Sequence, residues 1–184
     1  MEIQNKIEYT PAVTLDKALR YLQKQDSKVS GFNKEELDIF VKNVAKNEDL
    51  SSMKVSKYFA RGALAIVFET PEGEVLKLTQ GNHFPMNRPI ESFDVPVFKK
   101  GRAGDIYYYL EEKLFQNGLS QPFVEMIKDK IKERGYRTFD LYDFDFHQIG
   151  FSKEGRLYLL DPECAKYKTI FHAAFDKLKK LFKK

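Results

Sequence analysis

The sequence predicts an α+β fold in which antiparallel strands in series are preceded and followed by helices. Between residues 56 and 115, short runs rich in β-branched and aromatic side chains alternate with turn sequences, which is typical of strands joined by tight connections. On both sides of this region, apolar residues recur at steps of three and four, the period of an amphipathic helix. With 184 residues, 42% of them hydrophobic, the chain is long enough to bury the core of one domain.

Residues 1–55 are predicted to form a helical extension that braces the rest of the fold. Thr14 is a candidate N-cap for one helix, and Asn33 with Glu36 has the spacing of a capping box at the start of a second. Two short helices cannot form a substantial core alone, so we expect both to pack on the strands that follow. Their predicted packing faces consist of Leu15, Ala18, Leu19 and Leu22 in the first helix and Leu37, Phe40, Val41 and Val44 in the second.

Residues 56–115 predict a five-stranded antiparallel sheet. Proline and glycine mark a tight turn at residues 70–73, and a glycine-rich turn is predicted at residues 101–104. The predicted strands are residues 57–60, 64–69, 75–79, 95–98 and 106–110.

Residues 116–184 predict helices and one hairpin. Ser120 precedes a run with helical spacing that closes at Gly135. The turn sequence at residues 153–155 separates two strand-like segments, residues 141–151 and 156–160. The helical period then returns in residues 170–182, which predicts a C-terminal amphipathic helix.

Lys77 is the first residue that could carry chemistry, because it stands in the middle of an apolar strand. Strand alternation places it on one face with Val75 and Thr79. Two interpretations remain open: the lysine extends to solvent along an exposed face, or a rigid sheet holds it as a point charge that meets a phosphate. Val67, in the preceding strand, could lie over the same cleft.

Acidic and amide side chains form the second candidate group. Asp143 and Asp145 alternate with aromatic residues, Gln148 follows them, and Asp161 ends a strand just before a proline. Carboxylates and an amide oxygen are ligands that Mg²⁺ prefers, with room left for water and substrate phosphates. The alternative is that these aspartates cap turns and end a strand.

The order and spacing of these residues resemble the protein-kinase superfamily. In that family a glycine-rich hairpin covers the ATP phosphates, and a lysine on the third strand pairs with them. A catalytic-loop aspartate is followed five residues later by a metal-binding amide. A second aspartate, which closes the next hairpin, also binds metal. Here Asp143 and Gln148 are five residues apart, and Asp143 and Asp161 are eighteen apart. The resemblance covers roughly residues 56–165. Within this range, residues 106–114 resemble the strand that enters the hinge between the lobes. Residues 122–135 resemble the helix before the catalytic loop. Gly62, Lys77, Asp143, Gln148 and Asp161 occupy the family's positions.

The resemblance implies a reduced two-lobe kinase-like fold, with a small lobe at residues 56–115 and a truncated, helical large lobe at residues 116–184. It implies a phosphotransferase that uses ATP and Mg²⁺ (or Mn²⁺) and acts on a hydroxyl acceptor, with a protein serine or threonine as the preferred class. Compact forms of this superfamily occur among bacterial effectors and phage proteins, which is why a protein acceptor is preferred. By this resemblance Gly62, Val67 and Lys77 bind ATP, Lys77 and Asp143 act in catalysis, and Gln148 and Asp161 hold the metal.

Several departures from the family pattern support an alternative, a catalytically inactive pseudokinase that binds nucleotide or protein. Only Gly62 remains of the usual three loop glycines, glutamine replaces asparagine at Gln148, and Asp161 is followed by Pro-Glu instead of Phe-Gly. No conventional helix carrying an acidic partner of Lys77 fits between the third and fourth predicted strands, where Glu91 is the candidate. A second register, with Asp145 as the base, matches small-molecule phosphotransferases but leaves the loop two residues short.

The charge distribution limits the classes of partner. The net charge is +4, and residues 170–184 alone hold five lysines and one aspartate, which also gives +4, so the rest of the chain is neutral. A nucleic-acid partner is therefore not expected, and the protein substrate or partner is expected from the kinase resemblance alone. Three interpretations of residues 170–184 remain open: a helix that closes the domain, a membrane-surface contact, and a contact with an anionic partner.

The sequence also predicts a cytoplasmic protein with no transmembrane segment. No apolar run reaches the length of a membrane helix, and the first thirty residues lack the pattern of a secretory signal. Cys164 is the single cysteine, which excludes an intramolecular disulfide and any multi-cysteine metal site.

Overall fold

A computed structural model of the chain describes residues 7–25, 34–61, 65–80, 95–115, 120–133, 135–138, 149–159 and 165–167. Within these ranges the protein is a mixed α+β structure, as predicted. Its helices are α1 (Leu15–Lys24), α2 (Lys34–Ala45), α3 (Glu48–Ser52) and α4 (Gln121–Glu133). Its strands are β1 (Ile7–Thr14), β2 (Lys54–Arg61), β3 (Ala65–Glu69), β4 (Val75–Gln80), β5 (Val97–Ala103), β6 (Ile106–Glu111), β7 (Tyr136–Thr138), β8 (Ile149–Phe151), β9 (Leu157–Leu159) and β10 (Ala165–Tyr167).

These elements divide into two compact units. The first unit contains β1–β6 and α1–α3, and the second contains α4 and β7–β10. The chain passes from the first unit to the second after Lys113, two residues beyond the end of β6, and Val95, just before β5, also belongs to the second unit.

The first unit is built on a six-stranded antiparallel sheet with the order β1-β2-β3-β4-β6-β5. Five strands were predicted, and the sixth is β1, which lies in the segment predicted to be a purely helical extension. That prediction was wrong before Thr14, because Ile7, Tyr9 and Val13 supply the β-branched and aromatic side chains that suit a strand. Pro11 is tolerated there because β1 is an edge strand and needs fewer ladder donors.

The helices of the first unit follow their predicted packing faces. Thr14 is the N-cap of α1, and its Oγ1 accepts a hydrogen bond from the backbone N–H of Lys17 at 3.4 Å. All eight predicted apolar residues of α1 and α2 are buried. The proposed cap of α2, Asn33, lies outside the described residues, whereas Asn47 caps α3, a helix that the sequence did not predict.

One core joins these helices to one face of the sheet. Because successive strand residues point to opposite faces, the residues that alternate with this buried set lie on the other face of the sheet, and Val67, Lys77 and Tyr109 are among them. The sheet contributes to the core Val55, Tyr58, Ile66, Phe68, Leu76, Leu78, Ala103, Ile106 and Tyr108.

Two glycine turns shape the sheet. The predicted turn at residues 70–73 is present, with Gly73 at φ 82° and its N–H donating to the Thr70 carbonyl at 3.0 Å. The predicted turn at residues 101–104 is shorter, because β5 extends to Ala103 and the turn falls at Gly104 and Asp105. Gly101 lies inside the strand, where a Cβ would overlap the side chain of Tyr108, so packing requires this glycine and the turn does not.

The second unit contains the predicted helix and hairpin. Val124, Lys128 and Ile131 are buried along α4, and the N–H of Gly135 (φ 87°) donates to the Lys132 carbonyl at 2.9 Å just after the helix ends. β8 and β9 form the hairpin around Gly155, and β7 pairs antiparallel with β10, a contact that the sequence did not predict. A bridge between Phe115 and Phe151 joins the start of this unit to β8.

Across the part of the chain that the structure describes, none of the helices has the length and apolar character needed to cross a membrane. The predicted C-terminal helix at residues 170–182 and Cys164 both lie outside the described residues.

Candidate functional site

Two of the six predicted site residues, Lys77 and Val67, lie within the described residues. Gly62, Asp143, Gln148 and Asp161 lie outside them, as do the alternative base Asp145 and the candidate acid Glu91. The structure therefore describes the part of the candidate site that is carried by the sheet of the first unit.

Lys77 lies at the centre of a cross-strand row. Val67 on β3 is directly opposite it on one side, and Tyr109 on β6 is directly opposite it on the other. Lys100 on β5 is opposite Tyr109 and completes the row. Residues directly opposite each other in an antiparallel pair share a face, with Cβ atoms about 5 Å apart. The register thus brings Lys77 and Val67 together and adds Tyr109 and Lys100, which the sequence pattern did not single out.

The backbone of Lys77 is held firmly because its strand is interior to the sheet. Leu76 and Leu78, the residues on either side of it, are fully buried in the core on the helix-bearing face. Lys77 itself is half-buried on the opposite face. A lysine with both neighbours anchored in the core has a fixed Cα position, and only its side chain can still change conformation.

The two acidic residues nearest to Lys77 by register are Glu69 and Glu111, each diagonal to it on a neighbouring strand. Diagonal neighbours are about 7–8 Å apart, within reach of long side chains. Glu69 is already engaged, because its Oε1 lies 2.6 Å from Nζ of Lys113. Glu111 is buried, at 6% exposure. In the described part of the chain, no carboxylate lies within ion-pair distance of Lys77, which leaves its charge available for an anionic ligand.

The basic groups around Glu69 are arranged about an aromatic ring. Nζ of Lys113 lies 5.4 Å from the centroid of Phe59, and Nζ of Lys57 lies 5.9 Å from it. Lys57 also pairs with Glu8 at 2.6 Å. These cations are therefore neutralised locally, in contrast to Lys77.

Tyr109 places a buried phenol beside Lys77. Burial raises the pKa of its hydroxyl, and the nearby Tyr107 and Glu111 raise it further. The phenol is therefore neutral near pH 7 and can both donate and accept a hydrogen bond. In the register Lys77 thus lies between the aliphatic Val67 and the aromatic Tyr109.

No group of three or more histidine, cysteine, aspartate or glutamate side chains is arranged to hold a metal among the described residues. The predicted metal ligands Gln148 and Asp161 are not among those residues, so the metal site predicted from them stays a prediction.

No protein-family model matches the chain, and no curated protein matches it either. The kinase-like interpretation therefore depends on the residues themselves: their order along the chain, the intervals between Asp143, Gln148 and Asp161, and the position of Lys77 in the sheet.

Proposed function

We propose that this protein is a compact kinase-like phosphotransferase that binds ATP with Mg²⁺ or Mn²⁺ and transfers the terminal phosphoryl group to a hydroxyl acceptor, in the preferred case a serine or threonine of a protein. The observation that carries the proposal is the position of Lys77, a half-buried cation in the interior of a sheet, opposite Val67 and without an ion-pair partner among the described residues.

The strand order supports this proposal. β2 and β3 form an antiparallel pair whose connection contains Gly62, and β4, which carries Lys77, is the third strand of this series. A kinase-like site needs such a series, since the hairpin lies over the phosphates and the lysine on the next strand meets them. A compact ammonium suffices there, because phosphate recognition by lysine needs only a point charge.

The position of β6 also supports the proposal. β6 lies next to β4 in the sheet, and the chain enters the second unit immediately after it. A connection between lobes is expected at this point by the resemblance of residues 106–114 to the strand that enters a hinge.

The remaining roles follow from the resemblance. Asp143 orients the acceptor hydroxyl and accepts its proton while the acceptor oxygen bonds to the terminal phosphorus and the bridging bond to the leaving diphosphate breaks. Gln148 and Asp161 would hold the metal through the side-chain oxygens that Mg²⁺ prefers, and the metal would supply positive charge that neutralises the phosphates. Lys77 holds the phosphates in position throughout.

Transfer of label from γ-³²P-ATP, with Mg²⁺ or Mn²⁺ and a mixture of protein acceptors, tests the proposal. Asp143→Asn and Asp161→Ala are expected to lower the transfer rate by at least about a hundredfold, because the first removes the proposed base and the second a proposed metal ligand. Lys54→Met is the matched control, since Lys54 is an exposed lysine at the start of β2. Transfer that survives Asp143→Asn would contradict the assignment of the base, and Asp145→Asn would then be measured.

A pseudokinase is the second candidate, and two departures from the family pattern favour it: Gly62 is the single glycine of the loop, and Pro-Glu follows Asp161. This candidate predicts that ATP raises the melting temperature while no label is transferred, because a ligand that binds only the native state stabilises it. No effect of nucleotide on the melting temperature would count against both candidates.

A further inference from the structure

Among the described residues, no strand pairs with the outer edge of β5. β5 ends the six-stranded sheet, and β6 is its single neighbour among the described strands. Along an edge strand, alternate backbone N–H and C=O groups point away from the sheet and are free to pair with another extended chain.

The side chains of β5 are unusual in charge and exposure. Val97–Ala103 has the sequence VFKKGRA, with three cations and no acidic residue. Lys99, Lys100 and Arg102 are all exposed. Phe98 is 57% exposed, the most exposed large apolar side chain of the described residues. A neutral protein body thus carries, at one sheet edge, a cluster of positive charge next to an apolar anchor.

The register shows how these groups are displayed. The pairing with β6 shifts between Val97 and Lys99, and from Lys99 to Ala103 it continues without irregularity. Lys100 and Arg102 lie on the face of Tyr109 and Tyr107, and the Arg102 guanidinium carbon is 5.4 Å from the Tyr107 ring centroid. Lys99 is on the other face of the sheet. Exposed cations therefore lie on both faces of the sheet along Lys99–Ala103, the regularly paired part of β5.

The opposite edge of the sheet lacks these properties. β1 contains Pro11, which has no N–H to donate, and its pairing with β2 is irregular between Glu8 and Val13. Its acid Glu8 is paired with Lys57 at 2.6 Å. β1 is therefore poorly suited to accept another strand, and β5 is the edge at which strand addition is possible.

We infer that the outer edge of β5 binds an extended acidic segment of a partner protein by strand addition. Main-chain hydrogen bonds join the segment to the edge, carboxylates on it meet Lys99, Lys100 and Arg102, and an apolar side chain packs on Phe98. The same lysines repel a second copy of this edge, because like charges directly opposite each other destabilise a strand pair. A peptide fits better than a nucleic acid, because a phosphodiester chain has no N–H groups to pair with the free carbonyls of a strand.

Strand addition at β5 does not depend on the proposed function. β5 belongs to the first unit, and none of the proposed catalytic or metal-binding residues lies on it. Binding at the edge and transfer of phosphate can therefore succeed or fail separately.

Fluorescence anisotropy with the full chain tests the inference. The probe is a fluorescein-labelled peptide of about eight residues in which glutamate alternates with valine, the length of an ordinary strand. The double variant Lys99→Glu/Lys100→Glu is expected to weaken binding by at least about tenfold, and Phe98→Ala by about threefold. Lys54→Glu, a charge reversal at an exposed lysine outside β5, is the matched control and is expected to leave the affinity within about twofold of the wild type.

Two further measurements separate strand addition from simple charge attraction. A peptide of the same sequence with all its backbone nitrogens methylated cannot donate main-chain hydrogen bonds, and it is expected not to bind. The unmodified peptide is expected to slow hydrogen exchange at the backbone amides of Lys99–Ala103. Equal binding of the methylated peptide, or equal weakening by Lys54→Glu, would overturn the inference, as would tighter binding of oligo(dT) at the same edge. If the double variant loses its far-UV circular dichroism signal, Lys100→Ala and Phe98→Ala serve in its place.

Discussion

The side-chain Oδ1 of Asn43 accepts a hydrogen bond from the backbone N–H of Asp105 at 3.1 Å, and this contact ties α2 to the turn between β5 and β6. The amide group of Asn43 is fixed from its other end, since Nδ2 donates to the Ile39 carbonyl at 2.8 Å. Gly104, the other residue of the turn, has φ 59° and lies so close to Asn43 that a Cβ would overlap Oδ1. One asparagine therefore fixes both residues of the turn.

Gly104→Ala is expected to lower the free energy of unfolding by about 2–4 kcal/mol, from the cost of a left-handed backbone conformation and the displacement of Asn43. Gly73→Ala is the matched control, because Gly73 has φ 82° but a Cβ added there would meet no atom within 4 Å beyond its chain neighbours. This control is therefore expected to cost only about 1–2 kcal/mol. Urea unfolding of both variants measures the difference. Equal costs at the two positions would show that the contact with Asn43 contributes nothing.

Leu19→Ala tests whether the N-terminal helices are part of the core or a separable brace. Leu19 is fully buried in the cluster that joins α1 to the sheet, so the substitution is expected to cost about 2–5 kcal/mol. Ile39→Ala, on the exposed side of α2, is expected to cost less than about 1 kcal/mol. Chemical unfolding followed by both circular dichroism and tyrosine fluorescence is the measurement. A loss of helix signal that leaves the sheet transition unchanged would contradict a shared core.

Removal of the Tyr9 hydroxyl group is expected to stabilise the protein. Its hydroxyl is buried and has no hydrogen-bond partner among the described residues, while its ring packs edge-on to Tyr21 at 6.2 Å. Tyr9→Phe keeps the ring and removes the unpaired hydroxyl, so the melting temperature is expected to rise, by an amount corresponding to about 1 kcal/mol. Tyr21→Phe, at a 46% exposed side chain, is expected to have little effect. A fall in melting temperature for Tyr9→Phe would show that the hydroxyl has a stabilising partner.

The alkaline stability of the protein is expected to depend on the same tyrosine. Burial raises the pKa of Tyr9, so above pH 10 the unfolded chain loses this proton while the folded chain still holds it. The stabilising effect of the raised pKa is therefore complete below pH 10 and declines as pH rises above it. Thermal unfolding between about pH 8 and pH 11 is expected to show a smaller decline for Tyr9→Phe than for the wild type. Parallel declines would mean that Tyr9 titrates equally in both states.

Local sequence signals predicted most of the first unit because several of its elements begin or end at residues with a clear local role. Thr14 caps α1, Gly73 closes a turn, and the apolar faces of α1 and α2 repeat with helical spacing. β1 was missed, although Ile7, Tyr9 and Val13 suit a strand, because β1 is fixed by pairing with β2 at positions forty or more residues away. Such long-range pairing leaves only a weak local pattern in the sequence.

The candidate site could be predicted only in part, for a related reason. Strand alternation predicted which face of the sheet carries Lys77. The residues opposite Lys77 could not be predicted, because they depend on the register between β4 and β6. That register places Tyr109 opposite Lys77, and a shift of one residue would place Tyr109 on the other face. Glu111, diagonal to Lys77, was missed for the same reason. Glu69 forms an ion pair with Lys113, a residue far away in the sequence, and is therefore not a partner of Lys77.

Lys77→Met is expected to remove at least about half of the stabilisation by nucleotide. A charge-assisted hydrogen bond to a phosphate contributes about 1.5–3 kcal/mol, so loss of the cation weakens ATP binding by about 10–150-fold. At a nucleotide concentration about 100 times the wild-type Kd, the wild type gains about 2.7 kcal/mol, and the variant is expected to gain only about 0.3–1.4 kcal/mol.

Lys100→Met is the matched control for Lys77→Met, because Lys100 lies in the same cross-strand row but at the exposed edge of the sheet. Its expected effect on the ATP-dependent rise in melting temperature is small. Equal losses for the two variants would indicate general electrostatic attraction, because an exposed edge lysine and an interior one would then contribute alike. An unchanged rise in Lys77→Met would instead show that this lysine only extends to solvent, since removal of a cation in contact with phosphate always weakens binding.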